Sequence, residues 1–119
     1  MINSQETAAS HLAAALAEIR ARFINDLIPL INEMEYQRVA MTDPALAPEA
    51  FSSLQHASHK ISGMAGSVGF PELGDHAARL DVTFTKLLRA PYDHAGVQAA
   101  LDPLEAFLSL MEDILDEVL

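Results

Sequence analysis

The stretch Pro48-Glu49-Ala50-Phe51-Ser52-Ser53-Leu54-Gln55-His56-Ala57-Ser58-His59-Lys60-Ile61-Ser62-Gly63-Met64-Ala65-Gly66-Ser67-Val68-Gly69 decides how the chain is read. Leu54, Ala57, Ile61, Met64, Ala65 and Val68 share one helical face, which no period-two strand pattern would produce. Ser58 falls on the flank of that stripe. Pro48 suits a first helical turn, where its missing N–H removes no internal bond, and Glu49 beside it meets the positive end of the dipole. Gly69 followed by Phe70-Pro71 reads as a stop and an immediate restart. The pattern predicts a helix over roughly 48–68.

The same period extends in both directions. Leu12, Leu16, Ile19, Phe23, Leu27, Leu30 and Met34 form what reads as one buried stripe, interrupted by Pro29. Proline removes one backbone donor, and because the stripe continues in phase beyond it, a kink is expected rather than an end. Thr42-Asp43-Pro44 through Pro48 is a loop. Leu73, Ala77, Leu80, Phe84, Leu87 and Leu88 make a third stripe that stops before Ala90-Pro91. After a turn at Tyr92–Gly96, Val97, Leu101, Leu104, Leu108, Met111, Leu115 and Val118 alternate by four and three, a heptad seam with Pro103 inside it. Such a seam could zip to another chain, but more often it closes its own bundle, and a monomer is expected.

Four amphipathic segments with short connections predict an all-α fold, an antiparallel four-helix bundle, with either an extra N-terminal helical segment or a kink at Pro29. A chain of 119 residues is long enough for one core and too short for two, so residues 1–119 read as a single domain. Half of the residues are hydrophobic, which argues against disorder, and the absence of cysteine excludes disulfides and thiolate metal sites. Met1–Ser10 lacks a basic region typical of a signal peptide, and no run of 18 uncharged apolar residues offers a membrane span. A cytoplasmic protein is expected. The formal net charge of −10 repels phosphate backbones and anionic lipid, so neither nucleic acid nor membrane is an expected partner.

On the 48–68 helix, at about 100° per residue, His59 points nearly opposite the apolar stripe and should be exposed. Gly63 lies one turn later and Gly66 two, with Ser62 beside them. Glycine inside a helix costs about 0.5–1 kcal/mol relative to alanine, so two on one outer face ask for a reason. A close helix crossing is one. The other is that a second molecule's backbone must approach the imidazole. A typical imidazole, with a pKa near about 6.5, is mostly neutral at pH 7 and offers a ring-nitrogen lone pair to phosphorus.

These residues resemble a known family. His59-Lys60-Ile61-Ser62-Gly63-Met64-Ala65-Gly66-Ser67-Val68-Gly69 is similar to the signature of the histidine-containing phosphotransfer (HPt) domain of two-component phosphorelays: His-x-(Leu/Ile)-Lys-Gly, small residues, and a second Gly six positions after the first. Leu73, Ala77 and Leu80-Asp81 resemble the family's continuation, a Leu–Ala–Leu stripe ending in an acidic residue. Phe23 to Leu30, with Pro29, is similar to its first long helix. The resemblance implies a four-helix bundle phosphorylated on His59, with Gly63 keeping access open and Lys60, Ser62 and Gly66 at the phosphate or partner contact. It implies a phosphocarrier rather than an enzyme, with no cofactor of its own. Its partners would be a response-regulator receiver domain, which supplies Mg²⁺ and the exchanging aspartate, and a hybrid histidine kinase. One departure stands out: the family's Lys, three residues after the His, is Ser62 here. A neutral hydroxyl replaces a point charge, which bears on phosphohistidine lifetime and partner affinity more than on the site.

Two other readings compete. His56 and His59, at i and i+3, could join His76 and Asp75 around a metal, although carboxylate-rich bundles place their ligands in the core and His59 points away from it. Alternatively, the chain is a helical adaptor, a degenerate HPt domain that binds receivers without transfer. His11 and His94 read as surface residues near helix ends. No nucleotide-binding motif is present, so self-phosphorylation is not expected.

Overall fold

The computed structural model describes residues 4–118; the extreme ends of the expected 1–119 domain, and the first residues of Met1–Ser10, lie outside them. Helix α1 spans Ser4–Ala40, α2 Ala47–Met64, α3 Pro71–Arg89 and α4 His94–Val118. No strand occurs among the described residues. Each helix packs against its chain neighbours, and α4 closes back onto α1. With short connections between them, successive helices run in opposite directions, an antiparallel four-helix bundle.

Local chemistry accounts for the breaks. Pro29 lies within α1 without ending it; Pro29 and Asn25 are both exposed, so water can satisfy the Asn25 carbonyl that proline leaves without a donor. Pro48 occupies the first turn of α2. That helix ends earlier than the apolar pattern suggests: residues 65–69 form a turn rather than continuing to Val68. Gly69 adopts φ +96°, the left-handed conformation that glycine alone takes freely, and the Phe70 N–H reaches back to the Ala65 carbonyl at 2.8 Å. Helix α4 starts at His94, two residues before the expected turn ends. Asp93 caps it, its carboxylate accepting the N–H groups of Ala95 and Gly96, both at 3.2 Å.

The core is a single cluster drawn from all four helices, with Leu27, Leu54, Phe84, Leu104 and Phe107 among its fully buried members. Each such side chain contributes about 1.5–3 kcal/mol through removal from water. The α4 seam closes this bundle: Val97, Leu104, Leu108 and Met111 are buried, while Leu101 and Leu115 are half-buried. Val118, at its end, is exposed.

Three expectations are corrected. Leu12, Leu16 and Ile19, read as part of one buried stripe with Phe23, Leu27 and Met34, are 62%, 48% and 45% exposed. Every residue from Ser4 to Arg22 is exposed, because α1 runs past the end of the bundle and no other helix lies beside its first turns. Met64 and Leu88, at the ends of their stripes, are likewise exposed. Ser58 is fully buried rather than on the flank, and its Oγ donates to the Leu54 carbonyl at 2.7 Å, which satisfies the hydroxyl without a tertiary partner.

Candidate functional site

Helices α2 and α3 pack more extensively than any other pair. Gly74 of α3 contributes to this: a Cβ there would lie 3.6 Å from the Ala65 Cβ and 3.7 Å from the Gly66 nitrogen, so the two backbones run close. The closeness brings the outer edge of α2 within reach of α3 side chains. His59 stands on that edge with 73% of its side chain exposed. Its Nδ1 lies 2.8 Å from Oδ2 of Asp81 on α3, whose side chain is 22% exposed.

Asp81 is held from three sides. Gln55, one turn before His59 on α2, donates from Nε2 to Oδ1 at 2.7 Å, and the Thr85 hydroxyl approaches the same oxygen at 3.4 Å. The Gln55 hydrogen bond, then that of His59, holds the Asp81 carboxyl below the ordinary carboxylate range. At neutral pH Asp81 is therefore an anion that can only accept. It follows that the hydrogen between the two residues sits on Nδ1 of His59. In the neutral ring the lone pair is then on Nε2.

The glycines leave space in front of this ring. A Cβ at Gly63 or at Gly66 would meet nothing within 4 Å, so neither serves a close helix crossing; Gly74 does. Gly63 lies inside α2, whereas Gly66 falls in the turn after it, where helix propensity no longer applies. Ser62 turns its hydroxyl back on its own helix, donating to the His59 carbonyl at 2.8 Å. Lys60 is exposed on the other edge of α2, where it lines a groove with Phe23, Asp26 and Leu30 of α1 and with Met64. The structure thus brings His59, Ser62 and Gly63 together along α2 and adds Asp81 and Gln55. Lys60 faces the α1 side.

Asp81 was visible in the sequence only as the acidic residue ending the Leu–Ala–Leu stripe, and Gln55 carried no signal beyond its i, i+4 spacing from His59. The other histidines stand apart. His56 places Nδ1 2.9 Å from the Ser52 carbonyl, His94 begins α4, and His11 lies well inside α1 rather than near its end. Among the described residues no group of three or more His, Cys, Asp or Glu is arranged to hold a metal. The reading with His56, His59, His76 and Asp75 therefore finds no ligand cluster. No helix among them is long and apolar enough to cross a membrane.

Neither the comparison with curated proteins nor that with solved structures found a match. The family comparison did: residues 6–118 match the model of the Hpt domain. With nearly the whole chain covered and four helices in a bundle, the protein belongs to the Hpt domain family, whose members are phosphocarriers in phosphorelay signalling rather than enzymes themselves.

Proposed function

We propose that this Hpt domain carries its phosphoryl group on Nε2 of His59 and exchanges it with the aspartate of a response-regulator receiver domain. The observation that carries the reading is the exposed imidazole whose Nδ1 is engaged by the Asp81 carboxylate, with open space over Gly63. In the forward step the Nε2 lone pair attacks phosphorus of the receiver's aspartyl phosphate. A P–N bond forms, the P–O bond breaks, and the aspartate leaves as a carboxylate. No proton moves. The ring gains positive charge, which the anionic Asp81 stabilises through the Nδ1–H, as a triad carboxylate does for its imidazolium. Mg²⁺ and the remaining charge stabilisation belong to the receiver. A hybrid histidine kinase is the other expected partner, the cytoplasm the expected compartment, and the domain needs no cofactor of its own.

Incubation with a phosphorylated receiver and Mg²⁺ should place an acid-labile, base-stable label on the protein, and His59→Gln should abolish it with little change in melting temperature, since exposed substitutions usually cost within about 0.5 kcal/mol. Label that persists in His59→Gln, or that disappears in His56→Gln instead, overturns the assignment. The degenerate adaptor keeps one observation in its favour: the Ser62 hydroxyl is already bonded to the helix and holds no charge for a phosphate. Receiver binding with no label on the unsubstituted protein would select it.

A further inference from the structure

Asp81 meets His59 with one carboxylate oxygen and Gln55 with the other: Nδ1 of His59 lies 2.8 Å from Oδ2, and Nε2 of Gln55 lies 2.7 Å from Oδ1. Both partners stand on α2, one turn apart, so their spacing is fixed by that helix's own backbone bonds. A carboxylate is otherwise loosely held, because its terminal torsion is broad and nearly two-fold. Two contacts from one rigid helix fix its plane and keep Oδ2 turned to the imidazole. Chemistry sets the direction of the Gln55 bond: an amide oxygen there would put two acceptors face to face, so the NH₂ donates. The Thr85 hydroxyl, 3.4 Å from Oδ1, is at the long limit of a hydrogen bond and holds far less. Gln55 and Asp81 are half-buried while His59 is exposed, so the amide acts on the ring from beneath, through the carboxylate.

We propose that Gln55 is a positioning residue for phosphoryl transfer: by fastening Oδ1 of Asp81 it keeps Oδ2 on the Nδ1–H of His59, and so keeps Nε2 as the nitrogen that bonds phosphorus. The inference rests on His59 as the carrier. In onward transfer an oxygen of the receiver's aspartate attacks phosphorus. A P–O bond forms, the P–N bond breaks, and its electron pair returns to Nε2. The proton stays on Nδ1 in both directions, so a carboxylate held in place spares the ring any change of tautomer between cycles.

Three variants of the full chain test this: Gln55→Met, Gln55→Glu and Thr85→Val. Gln, Met and Glu have similar helix propensities, so α2 itself is little disturbed, and melting temperatures check that each variant is folded. Nitrogen-15 NMR at about pH 8, where an ordinary imidazole is neutral, reads the tautomer; the His59 resonances are those missing from His59→Gln. In the parent the Nδ1–H form should predominate, and in Gln55→Met it should give way to a mixture. With a phosphorylated receiver and Mg²⁺, the maximal rate of labelling should fall about two- to tenfold in Gln55→Met, the span of one hydrogen bond, with the half-saturating receiver concentration unchanged. Gln55→Glu should lose more than Gln55→Met, because it sets a second carboxylate against Asp81, and Thr85→Val should lose less than either.

A Gln55→Met protein that keeps the parent's tautomer and rate overturns the proposal. So does a Gln55→Glu protein as fast as the parent, since packing alone ranks Glu closest to Gln in shape. A half-saturating concentration that moves while the maximal rate holds would make Gln55 a receiver contact instead, and a larger loss in Thr85→Val would give the clamp to Thr85. A parent that takes no label would overturn His59 as the carrier, and the tautomer comparison, which needs no receiver, would still decide whether Gln55 holds Asp81 to the ring.

Discussion

At the scale of the residue, the pair that defines the candidate site is His59 with Asp81. A solitary exposed imidazole would populate both neutral tautomers; a hydrogen-bonded carboxylate at 2.8 Å selects one. Asp81→Asn keeps the shape but can present its NH₂ to Nδ1 and favour the opposite tautomer. Transfer from a phosphorylated receiver should slow by about tenfold or more, with its pH profile altered. The same carboxyl carries a pH-dependent share of stability. Its folded value lies below that of the unfolded chain, so the contribution is complete above about pH 4 and is lost as pH falls through the lowered folded value. Comparing the melting temperatures of the protein and of Asp81→Asn, the gap at pH 7 should close on acidification. A gap that widens in acid would mean that Asp81 is not held as an anion. Ser62 is the complementary test. Ser62→Lys removes a bond within the helix and adds a cation one turn from the imidazole, so phosphohistidine should decay more slowly or receiver affinity should rise. If neither changes, the partner supplies that contact.

The element at issue is α2 with the turn that ends it. Gly63 has open space where a side chain would go, so Gly63→Gln should raise stability by roughly half a kcal/mol through helix propensity while blocking the receiver's approach. Urea unfolding and transfer assays on one preparation check both halves; a destabilised variant would return Gly63 to a packing role. Gly69 behaves differently. Its φ of +96° suits glycine alone, so Gly69→Ala should lower stability by about 1–2 kcal/mol although the added Cβ would lie 4.0 Å from the Arg20 guanidinium, without a clash. That guanidinium also lies over the Phe70 ring, 4.9 Å from its centroid, and ties the last exposed turn of α1 to the α2–α3 connection.

For the whole molecule, one periodic stripe on α1 has two fates. Leu27→Ala should cost about 2–5 kcal/mol because it opens a cavity at the bundle's centre, whereas Leu12→Ala should leave the melting temperature of dilute protein within measurement error. Chemical denaturation of the two variants under the same conditions decides it. Equal losses would show the start of α1 packed against something in the monomer.

The apolar period and its punctuation were enough to determine the helices, because both act within a few residues of chain. Pro71 restarted the next helix where the sequence placed it, and the face of α2 that carries His59 followed from about 100° per residue. Helix α2 itself ended at Met64, before the Gly69 that the pattern reads as its stop. The Hpt resemblance rested on that same stretch. Tertiary structure decided the rest. Periodicity marks a face able to be buried and says nothing about whether a neighbour reaches it, which is why Leu12, Leu16 and Ile19 read like Leu27 and yet lie in solvent. Nor does spacing along α2 reveal what stands across from it. Asp81 is 22 residues from His59 in sequence, and only the close packing of α2 on α3 brings a carboxylate to one ring nitrogen and leaves the other facing outward.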